Sequence, residues 1–102
     1  MSIKKQYLKS KPVCKVTLSL PKEATKTAKK VMVVGEFNDW NEKSIPMKKL
    51  KDGSFKTTID LAPGKEYQFR YLIDNKKWEN DWSADKYVPS DLAMEENSVV
   101  VV

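Results

Sequence analysis

Histidine is absent from these 102 residues, and cysteine occurs once, as Cys14. The first absence removes the commonest general base and metal ligand. The second rules out an intramolecular disulfide and any zinc site built on several thiolates. Glycine is scarce too: Gly35, Gly53 and Gly64 are the whole complement, and no phosphate-cradling glycine loop can be written from them. Arg70 is the single arginine, so the chain lacks the bidentate forks that read guanine edges. No run approaches the roughly 20 apolar residues of a membrane span. Residues 1–12 carry lysines but no apolar core of a secretory signal. With its lone thiol in an apolar-alternating run, the chain is expected to reside in a reducing cytoplasm, without membrane, metal or cofactor.

Carboxylates are the remaining route to catalysis. Asp81 with Asp85, or Glu95 with Glu96, are the pairs available. Glycoside hydrolysis needs two carboxyl groups facing each other across a cleft, roughly 5–9.5 Å apart. A domain this small hardly builds such a cleft, so these are read as surface acids and no enzymatic activity is expected. Asp74, Asp81 and Asp85 match no calcium-loop spacing.

The length fits one domain with a modest core. The net charge of +5 is unevenly distributed: residues 1–30 hold nine lysines against one acid, Glu23, so the rest of the chain is acidic on balance. A lysine-rich tail without arginine is read as solubilising charge rather than a nucleic-acid surface. Residues 1–12 are expected to form a basic flexible arm ending at Pro12, and residues 13–102 the folded domain.

Within that domain, strand signals recur. In Val13–Leu20, Cys14, Val16, Leu18 and Leu20 alternate with Lys15, Thr17 and Ser19, as in a half-buried strand. Val31–Gly35 is a continuous apolar run suited to a strand covered on both faces. Phe55, Thr57, Ile59 and Leu61 form a second alternation, and Tyr67, Phe69, Tyr71 and Ile73 a third, with Arg70 on the opposite face. Asp52-Gly53, Pro63-Gly64 and Asp74-Asn75 mark turns. Ile45–Leu50, interrupted by Pro46, reads as an edge at best. Tyr87-Val88 and Val99–Val102 supply the last strands. These signals add up to an all-β antiparallel sandwich of about seven short strands. Its core should include Leu18, Val33, Phe55, Ile59, Leu61, Tyr67, Phe69 and Tyr71, with Phe37 turned inward.

Against this scaffold the tryptophans are misplaced for a core. Trp40 lies among Asn38, Asp39 and Asn41, Trp78 between Lys77 and Glu79, and Trp82 between Asp81 and Ser83. Indoles in polar company serve either as lids on the sandwich ends or as binding platforms. A pyranose presents axial C–H groups on one face and hydroxyls at its rim. An indole face suits the former, and amides or cations suit the latter.

From Val31 through Asn41 (VMVVGEFNDWN) the sequence resembles carbohydrate-binding family 48. That family includes the N-terminal domains of isoamylases and branching enzymes and the glycogen-binding domain of the AMP-activated protein kinase β subunit. The likeness continues through Asp52-Gly53-Ser54-Phe55, Leu61-Ala62-Pro63-Gly64, Tyr67-Gln68-Phe69-Arg70-Tyr71, Ile73-Asp74-Asn75, Trp78 and Asn97-Ser98-Val99-Val100, covering about residues 13–102. The resemblance implies an immunoglobulin-like sandwich that binds α-1,4-glucan chains such as glycogen or starch. It implies that Trp40 and Trp78 stack on the glucan, that Arg70 is the basic contact and that Leu92 reaches into the curve of the chain. It further implies that Asn97 bonds hydroxyls, with Glu96 the other candidate for that aligned position. The turn before Trp78 is one residue longer than in the kinase module, and Trp82 has no counterpart. The alternative is a regulatory module that has exchanged glucan for a protein partner, such as a glycan-metabolising enzyme.

Overall fold

The computed structural model describes residues 3–25, 28–89 and 96–102. Among these, nine strands and one helical turn are formed. The strands are β1 (Lys4–Tyr7), β2 (Cys14–Leu20), β3 (Val31–Gly35), β4 (Lys48–Lys49), β5 (Phe55–Leu61), β6 (Glu66–Ile73), β7 (Lys77–Glu79), β8 (Lys86–Pro89) and β9 (Glu96–Val101). The helical turn, α1, covers Lys22–Thr25 after Pro21.

The strands make two sheets, one ordered β1-β2-β5-β4 and the other β3-β6-β9-β8, with β7 also on β6. Every pairing is antiparallel. The expected immunoglobulin-like sandwich is therefore the fold. Its core is the alternation read from the sequence: Cys14, Val16, Leu18 and Leu20 meet Val31, Val33, Phe69, Tyr71 and Val100 across the sheets, with Phe55 and Leu61 beside them. Burying side chains of this size contributes about 1.5–3 kcal/mol each. Ile59, Tyr67 and Phe37 pack against this core half-buried rather than inside it.

Two features of the second sheet position the outer face of β6. β3 is buried along its whole length, and Met32, Val34 and Leu72 form a second apolar cluster apart from the main core. On its other edge β6 is shared: β9 pairs with Glu66–Phe69 and β7 with Tyr71–Ile73. The two strands thus meet near the middle of β6.

The N-terminal segment departs from expectation. Lys4–Tyr7, within the expected flexible arm, is an edge strand paired with β2 from Lys4↔Thr17 to Tyr7↔Cys14. Its sequence, KKQY, has no apolar alternation, so side-chain pattern could not reveal it. Backbone pairing holds it, aided by Lys5 Nζ at 2.7 Å from Asp85 and by the Tyr7 hydroxyl donating to the Val102 carbonyl at 3.3 Å.

Candidate functional site

Parity along β6 fixes the site. Phe69, Tyr71 and Ile73 point into the core, so Gln68, Arg70 and Leu72 lie on the sheet's outer face. Cross-strand partners share a face, and the partners here are Val34 opposite Arg70, with Met32 and Trp78 flanking Leu72. The outer face therefore carries the apolar trio Met32, Val34 and Leu72 with Arg70 and Trp78 among them. An open cleft of about 290 Å³ lies there, lined by Arg70, Trp78, Glu79, Asn80 and Glu96.

The hairpin between β6 and β7 sets Trp78. Asp74 and Asn75 both take left-handed backbone angles, φ 51° and 59°, which Asp and Asn tolerate better than most residues. Asp74 Oδ1 accepts from the backbone N–H groups of Lys29 and Lys30, each at 2.9 Å, tying the hairpin to the strand-entry loop. This occupies Asp74 structurally, and no cluster of three or more metal-ligating side chains exists among the described residues. The longer turn is accommodated with Trp78 opposite Leu72, its side chain on the outer face and 40% exposed.

Trp40 is presented by a different device. After Gly35 the chain makes a 3₁₀ turn over Glu36–Asn38. Asn38 organises it: Oδ1 accepts from the Gly35 N–H at 3.0 Å, and Nδ2 faces the Val33 carbonyl at 3.1 Å, the Asn41 carbonyl at 3.2 Å and Ser44 Oγ at 3.0 Å. Asp39 and Trp40 then both turn left-handed, φ 54° and 58°. For a bulky residue this is an unfavourable conformation that persists only where surroundings enforce it, and such strain concentrates at functional sites. The indole is left 40% exposed. Gly35 permits the approach underneath, since a Cβ there would lie 2.6 Å from the Gln68 carbonyl oxygen and from Phe69 Cβ.

Of the other expected site residues, Asn97 is on the same outer face but only 7% exposed, with Nδ2 donating to Gln68 Oε1 at 3.0 Å. Its neighbour Glu96, the alternative for that position, lines the cleft. Leu92 lies outside the described residues. Trp40 is not part of the cleft lining but stands on the turn leaving β3, where Gly35 faces Phe69. Leu72, opposite Trp78, is three residues further along β6, roughly 10 Å at strand rise.

Glu79 and Asn80 are additions that the sequence does not signal. They reach the cleft because β7 and the start of β9 meet on one edge of β6. There Asn80 Nδ2 donates to the Glu96 carbonyl at 2.8 Å, and its Oδ1 accepts from the Ser98 N–H at 3.0 Å and the Ser98 hydroxyl at 2.9 Å.

The expectation that Asp81 is a surface acid is corrected: it is 3% exposed. The Tyr71 hydroxyl donates to Oδ2 at 2.6 Å, the Ser83 N–H donates to Oδ1 at 2.8 Å, and the Asp81 N–H donates to Ser98 Oγ at 2.8 Å. Burial raises the carboxyl's pKa above its ordinary value, and the Tyr71 hydrogen bond opposes that shift. Burial, followed by the Asp81 charge, drives the Tyr71 phenol well above its own ordinary value. Tyr71→Phe is therefore expected to destabilise the fold by about 1–3 kcal/mol at pH 7, because a buried carboxylate loses a donor. This deficit depends on pH. The Asp81 pKa is raised in the folded state, so protonation favours folding as pH falls through it. A protonated Asp81 needs the Tyr71 donor less, so the deficit of Tyr71→Phe should shrink in acid. Urea denaturation of both proteins at pH 7 and pH 4.5 checks this, and a constant or growing deficit would contradict the assignment.

An open cleft with an exposed indole, a cation, an amide and carboxylates, on the face of an immunoglobulin-like sandwich, is the arrangement of a carbohydrate-binding module. Residues 22–101 match the family described as the glycogen recognition site of AMP-activated protein kinase, and the chain belongs to that family. It is a family of binding domains, not of catalysts. No curated protein sequence matches the chain significantly.

Proposed function

We propose that this domain binds α-1,4-glucan chains of the glycogen or starch type without acting on them. The observation that carries this reading is the placement of Arg70 and Trp78 on one open cleft, with Trp40 exposed on the adjoining turn. In this reading the Trp78 and Trp40 faces stack on the C–H faces of successive sugars. Arg70 donates to ring hydroxyls, while Asn80, Glu79 and Glu96 offer further polar partners at the rim. Asn97 acts indirectly by holding Gln68. The glucan would connect the domain to a glycan-metabolising enzyme working on the same polymer, in the cytoplasm where such storage chains lie.

Because the cleft is shallow, affinity should be modest, on the order of tens of micromolar to millimolar. The test is intrinsic tryptophan fluorescence titrated with β-cyclodextrin, maltoheptaose and cellohexaose. Curved α-1,4 ligands should give saturable changes and the straighter cellulose oligomer a weaker one. Equal responses to both would contradict the α-glucan assignment, and silence to all would favour a protein partner on the same face.

A further inference from the structure

Trp82 is the most exposed of the three tryptophans at 53%, yet it sits on one of the most firmly built loops of the described structure. Asp81 is drawn into the sandwich by Tyr71, and its Oδ1 closes a side-chain turn onto the Ser83 N–H at 2.8 Å. Trp82 is the central residue of that turn and is turned outward. The Tyr87 hydroxyl clamps the loop from the far side, donating to the Asp81 carbonyl at 2.5 Å and lying 3.4 Å from the Ala84 N–H. Asp85 completes the anchoring, accepting from the Val101 N–H at 2.7 Å and meeting Lys5. Burying a carboxylate is unfavourable, and here the buried carboxylate fixes a loop whose apex is an indole in solvent. A loop anchor would bury its tryptophan; this one exposes it.

The loop also begins at the cleft. Asn80, which lines it, is two residues before Trp82, and Trp78 is four residues before. Four residues span at most about 14 Å even when fully extended. Both indoles therefore fall within reach of a single oligosaccharide.

We propose that Trp82 is an additional stacking platform, beyond the wall made by Asn80 and Glu96, that engages only glucans long enough to extend past Trp78. This rests on the glucan-binding reading above and adds a determinant of chain length. Rigidity is what makes the platform effective, since an indole already held in place loses little freedom when a sugar stacks on it.

The experiment is a calorimetric ladder of maltotriose, maltopentaose and maltoheptaose against the wild type, Trp82→Ala and Trp82→Phe, with thermal melts to establish folding. The wild type should tighten with length. Trp82→Ala should bind maltotriose as the wild type does but maltoheptaose roughly tenfold more weakly, the scale of one stacked ring. Trp82→Phe should recover much of that loss. If the wild type and Trp82→Ala ladders run parallel, the platform is overturned while the glucan reading stands. Equal weakening at every length in a folded Trp82→Ala overturns it as well, because Trp82 would then support the cleft rather than extend it. A wild type that binds none of the three overturns the glucan reading itself, and the platform with it.

Discussion

Trp78→Ala and Trp40→Ala are each expected to abolish measurable binding to maltoheptaose while leaving the domain folded. Losing one stacking face removes on the order of 1–3 kcal/mol, by analogy with bases stacked on aromatic side chains. From an affinity already near the millimolar range, that places the complex beyond ordinary titration. Stability should change little, because both indoles are 40% exposed and neither belongs to the core. The Trp40 turn is held by the Asn38 side chain and by the Trp40 N–H donating to the Gly35 carbonyl at 2.8 Å, and an alanine keeps both. Arg70→Ala should weaken binding less, since one hydroxyl contact from a charged donor is worth about 1.5–3 kcal/mol at most and water replaces part of it. Calorimetry with parallel thermal melts separates these cases. If Trp40→Ala unfolds the domain while the wild type ignores every glucan, Trp40 is a lid on the sandwich and the protein-partner reading takes precedence.

Which features are legible in the sequence depends on the force that sets each one. Strands whose one face is buried announce themselves through alternation, and Arg70 is assigned to the outer face by parity alone. β1 announces nothing, because Lys4–Tyr7 is held by backbone pairing and edge contacts, to which side-chain periodicity is blind. The cleft's second wall is likewise hidden. Glu79 and Asn80 have no local signal; they become neighbours of Glu96 only because β7 and β9 divide one edge of β6. Asp81 misleads for a general reason. A carboxylate among Asn, Trp and Ser reads as surface, and only the partner hydroxyls of Tyr71 and Ser98, 10 and 17 residues away, make its burial tolerable. Asn97, expected to serve sugar hydroxyls, instead donates its amide to Gln68 within the protein.

The largest effect on stability is expected at Phe69 rather than at Phe37. Both rings stand beneath the Trp40 turn: Phe37 and Phe69 are 6.1 Å apart, and Phe69 meets Tyr71 edge-on at 5.6 Å. Phe69 has no solvent exposure and joins both sheets' core, so Phe69→Ala leaves a cavity in a close-packed interior. Such truncations remove about 3–5 kcal/mol, a large share of the roughly 5–15 kcal/mol that keeps a domain folded. Phe37 is only half-buried and packs against the core from outside, touching Tyr67 at 6.2 Å between ring centres. Its truncation should lose roughly half as much, because water already reaches part of the ring. Phe69 also abuts Gly35, so collapse of its cavity should disturb the strand end from which the Trp40 turn departs. Urea unfolding at pH 7 will rank the two variants. Phe69→Ala should show the lower midpoint and, where it remains folded, weaker glucan binding despite an unchanged surface. Equal midpoints would mean that Phe37 is buried in solution as deeply as Phe69, with the turn folded further onto the core.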